Sequence, residues 1–207
     1  MSTVEELLSE GLAALGLPAD SIRQARLLEF LNLMGKWNRI YNLTAIASPQ
    51  DRVRLHLLDS LAILPHLQGE RVLDVGTGAG LPGIPLAIYS PTHRFTLLDS
   101  NSKKTRFVQQ AAIELGLRNV QVVHSRIEQF RDAEGYDVVL ARAYASLADI
   151  VRQTGSLLKP GGTILAQKGK LPASEIAELT GWDVEGQALA VPGVEAERHL
   201  IKIRNRG

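Results

Sequence analysis

Leu7, Leu8, Leu12 and Leu15 recur at helical spacing and stop at Gly16, with Pro18 beyond, so the first apolar stripe predicts a helix with a marked end. A second stripe of Ile22, Leu27, Phe30, Leu31 and Met34 begins behind Asp20 or Ser21 as N-cap and runs to about Trp37. Periodicity breaks over WNRIYNLTAIASPQD, which reads as a polar connection. A third helix is expected over residues 52–67, ending near Gly69. Residues 1–68 therefore read as an N-terminal helical segment packed on the core of the chain.

From residue 71 the period changes to alternating strands and helices, about 25 residues per unit. Strands are expected at 72–75, 95–98, 120–123, 136–141 and 163–167, with two more at 187–191 and 199–204 around a Pro192-Gly193 turn. Between them fall helices at 82–89, at about 102–115 with Ser100 or Ser102 as cap, and at 146–158. Such alternation predicts an α/β fold: a doubly wound, mostly parallel seven-stranded sheet covered on both faces, with residues 69–207 as one globular unit.

Composition narrows the chemistry. At 207 residues, 45% hydrophobic and 22% charged, one α/β domain with a small appendage is the default. Its 23 basic and 22 acidic residues leave a net charge of +1, so nucleic acid would have to be held by a local patch. The absence of cysteine excludes disulfides, thiolate metal sites and cysteine nucleophiles. An acidic, amphipathic start and the lack of a long apolar run point to a cytoplasmic protein that does not enter a membrane.

The candidate site lies in RVLDVGTGAGLPG, residues 71–83, where a buried strand runs into a turn with glycines at 76, 78 and 80. Glycine there permits positive φ and lets a ligand approach the backbone. In a doubly wound sheet the loops after the first four strands converge at the switch in strand order. Those loops hold the glycines, then Asp99-Ser100, then Ser125-Arg126-Ile127-Glu128, then Arg142-Ala143-Tyr144. Asp99, about 20 residues past the glycines, suits the two hydroxyls of a ribose. A dinucleotide loop would read G-x-G-x-x-G and face a pyrophosphate, whereas this G-x-G-x-G follows an acid, Asp74, which a sulfonium with an amino-acid tail would tolerate. LDVGTGAG and the KPGG turn resemble Rossmann-like class I S-adenosylmethionine-dependent methyltransferases.

The resemblance extends further. WNRIYNLTAI, HLLDSLAILPHL, LDVGTGAGLPGIPLAI, FTLLDSNSKKTRFVQ, SRIEQF, ARAYASL and RHLIKI, spread over residues 30–203, are similar to the RsmG or GidB family of bacterial 16S rRNA guanine-N7 methyltransferases. Membership implies transfer of a methyl group from S-adenosyl-L-methionine to N7 of a guanine in the 530 loop of 16S rRNA, as naked RNA or in the small subunit. It implies cofactor contacts at Gly76, Leu81, Ile127, Glu128 and Arg142, with Asp99 as the ribose acid; Asp74, Gly78 and Ser100 complete the candidate cofactor set. Arg126, Arg142 and Arg198 are the candidate catalytic arginines, Arg126 and Arg198 on the RNA side. Ala79 stands where some relatives have proline. The residues between Asn38 and Asn42 are a further candidate rim.

Other signals are weaker. His56, His66, His93, His124 and His199 show no two-ligand helical spacing, so no metal is expected. Lys168 and Lys170 read equally as phosphate contacts or solvated loop, and Lys202, Arg204 and Arg206 as a solvated basic tail. A monomer is expected.

Overall fold

A computed structural model describes residues 3–206; Met1, Ser2 and Gly207 lie outside the described residues. Two helices come first, α1 (Val4–Ala14) and α2 (Ser21–Tyr41). Thr3 closes a capping box with Glu6 on α1, and Asp20 caps α2 through the N–H groups of Ile22 and Arg23. α2 is longer than its stripe predicts. Asn38, Arg39 and Tyr41 are therefore helical, and Asn42 ends the helix in the left-handed conformation at φ 50°. The side chain of Asn38 accepts the Thr44 N–H at 2.8 Å, and Tyr41 stacks on Trp37 at 5.4 Å. In the expected polar connection, then, two of the candidate rim residues have structural roles.

The expected third helix is broken into α3 (Pro49–Arg52), a π-helical turn (Val53–Leu58), α4 (Asp59–Leu61) and a 3₁₀ turn (Leu64–His66). Gly11 of α1 lies against the π turn so closely that a Cβ would sit 2.2 Å from Leu58 Cδ1. The sheet comprises β1 (Arg71–Val75), β2 (Arg94–Asp99), β3 (Val120–His124), β4 (Tyr136–Arg142), β5 (Leu158–Lys168), β6 (Trp182–Ala188) and β7 (His199–Asn205). Their order is β3-β2-β1-β4-β5-β7-β6, with β7 antiparallel to both neighbours. Helices α5 (Gly83–Tyr89), α6 (Ser102–Glu114), α7 (Leu147–Thr154) and α8 (Ala173–Glu178) complete the chain.

Three local expectations need correction. Asn101 caps α6, accepting from Lys103 and Lys104 N–H, because its amide reaches both orphan donors. The 146–158 helix ends at Thr154 and tightens into a 3₁₀ turn. The strand expected at 187–191 lies at Trp182–Ala188, where pairing with β7 outweighs the apolar run beyond it.

Alternation along the strands sorts the core into two layers. Val72, Phe95, Leu97, Val138 and Leu140 face one cluster, while Leu73, Leu98, Val139, Ala141 and Ile164 face the other. The first cluster also contains Leu8, Leu12, Leu27, Phe30, Met34, Leu57 and Leu61. The N-terminal helices thus share the sheet's core, and Phe107 of α6 packs its ring against both Phe30 and Trp37 of α2. Burying side chains of this size contributes about 1.5–3 kcal/mol each. Among the described residues, no helix is long and apolar enough to cross a membrane.

Candidate functional site

Strand order reverses between β1 and β4, and a cleft of about 270 Å³ opens there at the carboxyl ends of the strands. Its lining comes from all four expected loops: Val75 and Gly76; Leu98 to Ser100; Ser125 to Glu128; Ala143 and Tyr144. Larger clefts of about 660 and 670 Å³ lie elsewhere, one along residues 188–199 and one between α1, α2 and α3. Position at the switch point favours the smaller one.

Asp99 organises this cleft. One carboxylate oxygen accepts the Gly78 N–H at 2.8 Å and the other the Asn101 N–H at 2.8 Å, tying the glycine loop to the β2 end. A carboxylate has about four acceptor positions, so capacity remains for a ligand's hydroxyls. Gly76 and Gly78 both have positive φ, 65° and 60°. Above Gly78 a Cβ would meet nothing nearer than the Gly76 carbonyl at 3.9 Å, leaving the backbone open to a ligand. Above Gly76 the space is taken by the Tyr144 ring, whose hydroxyl donates to Gln153 at 2.7 Å. Ser100, Arg126 and Glu128 are exposed at the rim, with Ile127 buried beneath.

Asp74 does not line the cleft. It is buried under the loop, where one carboxylate oxygen accepts the Thr77 hydroxyl at 2.6 Å and the Gly83 N–H at 2.9 Å. Leu81 packs against the first core cluster. Arg142 and Arg198 also turn away from the cleft lining, onto Asp59: Arg142 Nη1 lies 3.4 Å from one oxygen and Arg198 Nε 3.1 Å from the other. Lys168 is an internal tie, donating to the Ala145 carbonyl and to Glu175, and His199 bonds the Gly169 carbonyl. Both phosphate contact and free solvation are therefore inapt descriptions of Lys168.

Asp59 and Tyr144 received no role from the sequence. Asp59 carried one signal, a lone acid in the apolar run HLLDSLAIL, since a buried charge demands partners.

Two buried groups near the site have opposite pH signatures. Burial lifts the Asp74 carboxyl from 3.8 to about 7, against the hydrogen bonds of Thr77 and Gly83 and the charge of Arg142. The folded chain keeps a proton that the unfolded chain releases, so the stability it contributes is full in acid and is lost as pH rises through about 7. Burial, helped by Arg142, lowers His56 from 6.5 to about 4. Its stability contribution is lost in the opposite direction, as pH falls from 6.5 towards 4. Asp74→Asn should therefore raise the melting temperature above about pH 7 by roughly 5 °C, equivalent to about 2 kcal/mol, and leave it unchanged near pH 4. Thermal melts of both chains across that range decide it, and an equal shift at both ends would refute the assignment.

The chain matches the family described as GidB, rRNA small subunit methyltransferase G, over residues 23–201. It is 59% identical to the ribosomal RNA small subunit methyltransferase G of Methylococcus capsulatus over 202 residues, covering 97% of this chain and 98% of that protein. Identity to the Neisseria meningitidis serogroup C protein of the same name is 50% over 206 residues, 98% and 99% of the two chains. Among solved structures it resembles the glycopeptide N-methyltransferase MtfA complexed with S-adenosylmethionine, with TM-score 0.64 at 13% identity over 73% of this chain and 88% of that one. A second likeness is a putative O-methyltransferase from Klebsiella pneumoniae, with TM-score 0.62 at 12% identity over 97% and 96%. These distant likenesses bear on the fold, which is that of Rossmann-like methyltransferases.

Proposed function

From the premise that the chain belongs to the GidB family of rRNA small subunit methyltransferases, and is an S-adenosylmethionine-dependent rRNA methyltransferase, we propose how its residues divide the work. The substrate is 16S rRNA, free or in the small subunit, and the acceptor is N7 of a guanine in the 530 loop. The observation that carries the assignment of residues is the Asp99 carboxylate, pinned by the Gly78 N–H at the wall of the switch-point cleft. The donor set fits the cofactor: an acid for the ribose, an open glycine backbone for the amino-acid end, and Ile127 as an apolar floor. When bound there, S-adenosylmethionine supplies an electrophilic methyl group on a sulfonium.

Asp99 and the Gly76 to Gly78 backbone hold the cofactor in this reading, with Ser100 and Glu128 at the rim and Leu81 backing the loop. Asp74 acts from below by holding the turn through Thr77 and Gly83. Arg126, exposed at the cleft edge, and Arg198 face the RNA, and Arg142 closes β4 between the two sides. Guanine N7 has a lone pair and no proton, so it attacks directly and needs no general base. Orientation carries the rate, and holding two reactants in line lowers a barrier by about 7–11 kcal/mol at best. The lack of cysteine excludes attack by a cysteine nucleophile on a pyrimidine ring, in keeping with this choice of acceptor. We read residues 1–68 and 69–207 as one working unit, monomeric and cytoplasmic, where rRNA is made.

Tritiated methyl transfer to naked 16S rRNA, assembled small subunits and total protein, run in parallel, tests the reading. Label is expected in the rRNA or the particle, at a guanine whose strand breaks after borohydride and aniline treatment. Label in protein alone would overturn it.

A further inference from the structure

The chain sets 23 basic residues against 22 acidic ones, so any grip on nucleic acid must be local. Its clefts differ in how much of their positive charge is left unmatched. The cofactor cleft carries Arg126 against Asp99 and Glu128, and the cleft along residues 188–199 carries Arg198 against Glu195 and Glu197. Neither has cations to spare. A further cleft, where β1, β2 and β3 begin, contains Arg71, Arg94 and Arg118, but Arg71 is paired with Asp132 and Glu134 and Arg94 with Glu70 and Glu134. It also opens at the amino ends of the strands, away from the cofactor cleft.

The groove of about 670 Å³ between α1, α2 and α3 differs on both counts. Among the described residues its charged lining is Lys36, Arg39 and Arg52 against Glu5, and none of the three cations is in an ion pair. Lys36 and Arg39 are exposed, one turn apart on the side of α2 turned away from Phe30 and Met34. Arg142, the last residue of β4, donates to the Leu55 carbonyl three residues past Arg52, so the groove borders the carboxyl edge of the sheet.

Its walls are tied in place. Thr44 N–H donates to Asn38 Oδ1 at 2.8 Å, Ile46 N–H to Thr44 Oγ1 at 3.1 Å, and Arg52 Nε to the Ile46 carbonyl at 2.8 Å. That last bond fixes the guanidinium while using one of its five donors. A glycine inside a helix weakens it, yet α2 has Gly35 here, where a Cβ would lie 3.2 Å from Arg52 Nη1. The guanidinium therefore rests on bare backbone, one residue from Lys36.

We infer that this groove is a second RNA-binding surface, taking the phosphodiester backbone of the rRNA strand that flanks the methylated guanine, with Lys36, Arg39 and Arg52 as its phosphate contacts. The inference rests on the rRNA reading above and adds to it a surface supplied wholly by the N-terminal segment. Cations without internal partners suit phosphate, because binding releases counterions and breaks no ion pair of the chain.

Lys36→Gln combined with Arg39→Gln removes two exposed charges, so the melting temperature should not move. Filter binding to naked 16S rRNA should weaken about tenfold, and its salt slope should flatten by about 1.4, at about 0.7 per phosphate contact on a single strand. Affinity for S-adenosylhomocysteine should stay parental. Glu5→Gln removes the opposing acid and should tighten rRNA binding about twofold, a change of sign that a purely structural role would not produce. Parental rRNA affinity and slope in the double variant overturn the inference. So does weaker S-adenosylhomocysteine binding in step with rRNA binding, which would mean a disturbed cofactor site. Weakening with assembled small subunits and not with naked rRNA also overturns it, assigning the groove to an acidic segment of a ribosomal protein. If the parent chain labels neither rRNA nor subunits, the functional reading falls and takes this surface with it; labelling by the parent beside unmoved variants overturns the surface alone.

Discussion

Asp99→Ala is expected to abolish methyl transfer and to weaken S-adenosylhomocysteine binding at least about a hundredfold, roughly 2.7 kcal/mol. Two losses combine. The proposed ribose acceptor disappears, and the N–H groups of Gly78 and Asn101, each held at 2.8 Å, lose their partner at once. Hydrogen bonds to a charged group contribute about 1.5–3 kcal/mol each, and stranded donors add their own desolvation cost. Asp99→Asn should fall between the two, because one end of its amide is a donor and must face either Gly78 N–H or Asn101 N–H. Calorimetric titration of the three chains, with melts to exclude unfolding, measures this. Binding by Asp99→Ala within about threefold of the parent would remove Asp99 from the site.

Gly76→Ala should be nearly as damaging, and for two separable reasons. The position has φ 65°, which costs a non-glycine residue about 1–2 kcal/mol, and the new Cβ would lie 2.4 Å from Tyr144 Cδ2. Gly116 provides the control, since it has φ 65° as well but nothing within 4 Å of a Cβ. Gly116→Ala should lose about 1 kcal/mol of stability and keep parental kcat/KM. Gly76→Ala should lose kcat/KM by about a hundredfold or more, the strain being joined by displacement of the ring over the loop. Adding Tyr144→Ala to Gly76→Ala removes the collision and leaves the backbone strain, so partial recovery of S-adenosylhomocysteine affinity is expected. No recovery would mean that the ring is a bystander.

The cleft was legible because each of its walls obeys a local rule. A buried strand running into glycines, and an acid one strand later, can be read from Val72 to Gly80 and from Leu98-Asp99 without any long-range knowledge. Strand alternation likewise assigns Val72 and Leu73 to opposite layers, as the two core clusters do. What stayed illegible depends on register or on distant partners. The π turn shifts hydrogen bonding by one residue inside HLLDSL, a sequence whose apolar spacing suits an unbroken helix. Asp59 acquires meaning only through Arg142 and Arg198, and Tyr144 only through the ring's place over Gly76. Asn101 took the cap expected of a serine because two serines flank it, and the choice among three good caps is made by backbone geometry.

The span between Asp59 and Arg198 has a consequence for biosynthesis. Those residues are 139 positions apart, and β7, which begins just after Arg198, inserts between β5 and β6. A ribosome adding about 5–20 residues per second needs several seconds to deliver the second partner after the first. Throughout that interval Asp59 is without the second of its two guanidinium partners. A nascent chain of this protein therefore completes its glycine loop well before it can close the ion pair between Asp59 and Arg198, which must await the strand that comes last in sequence.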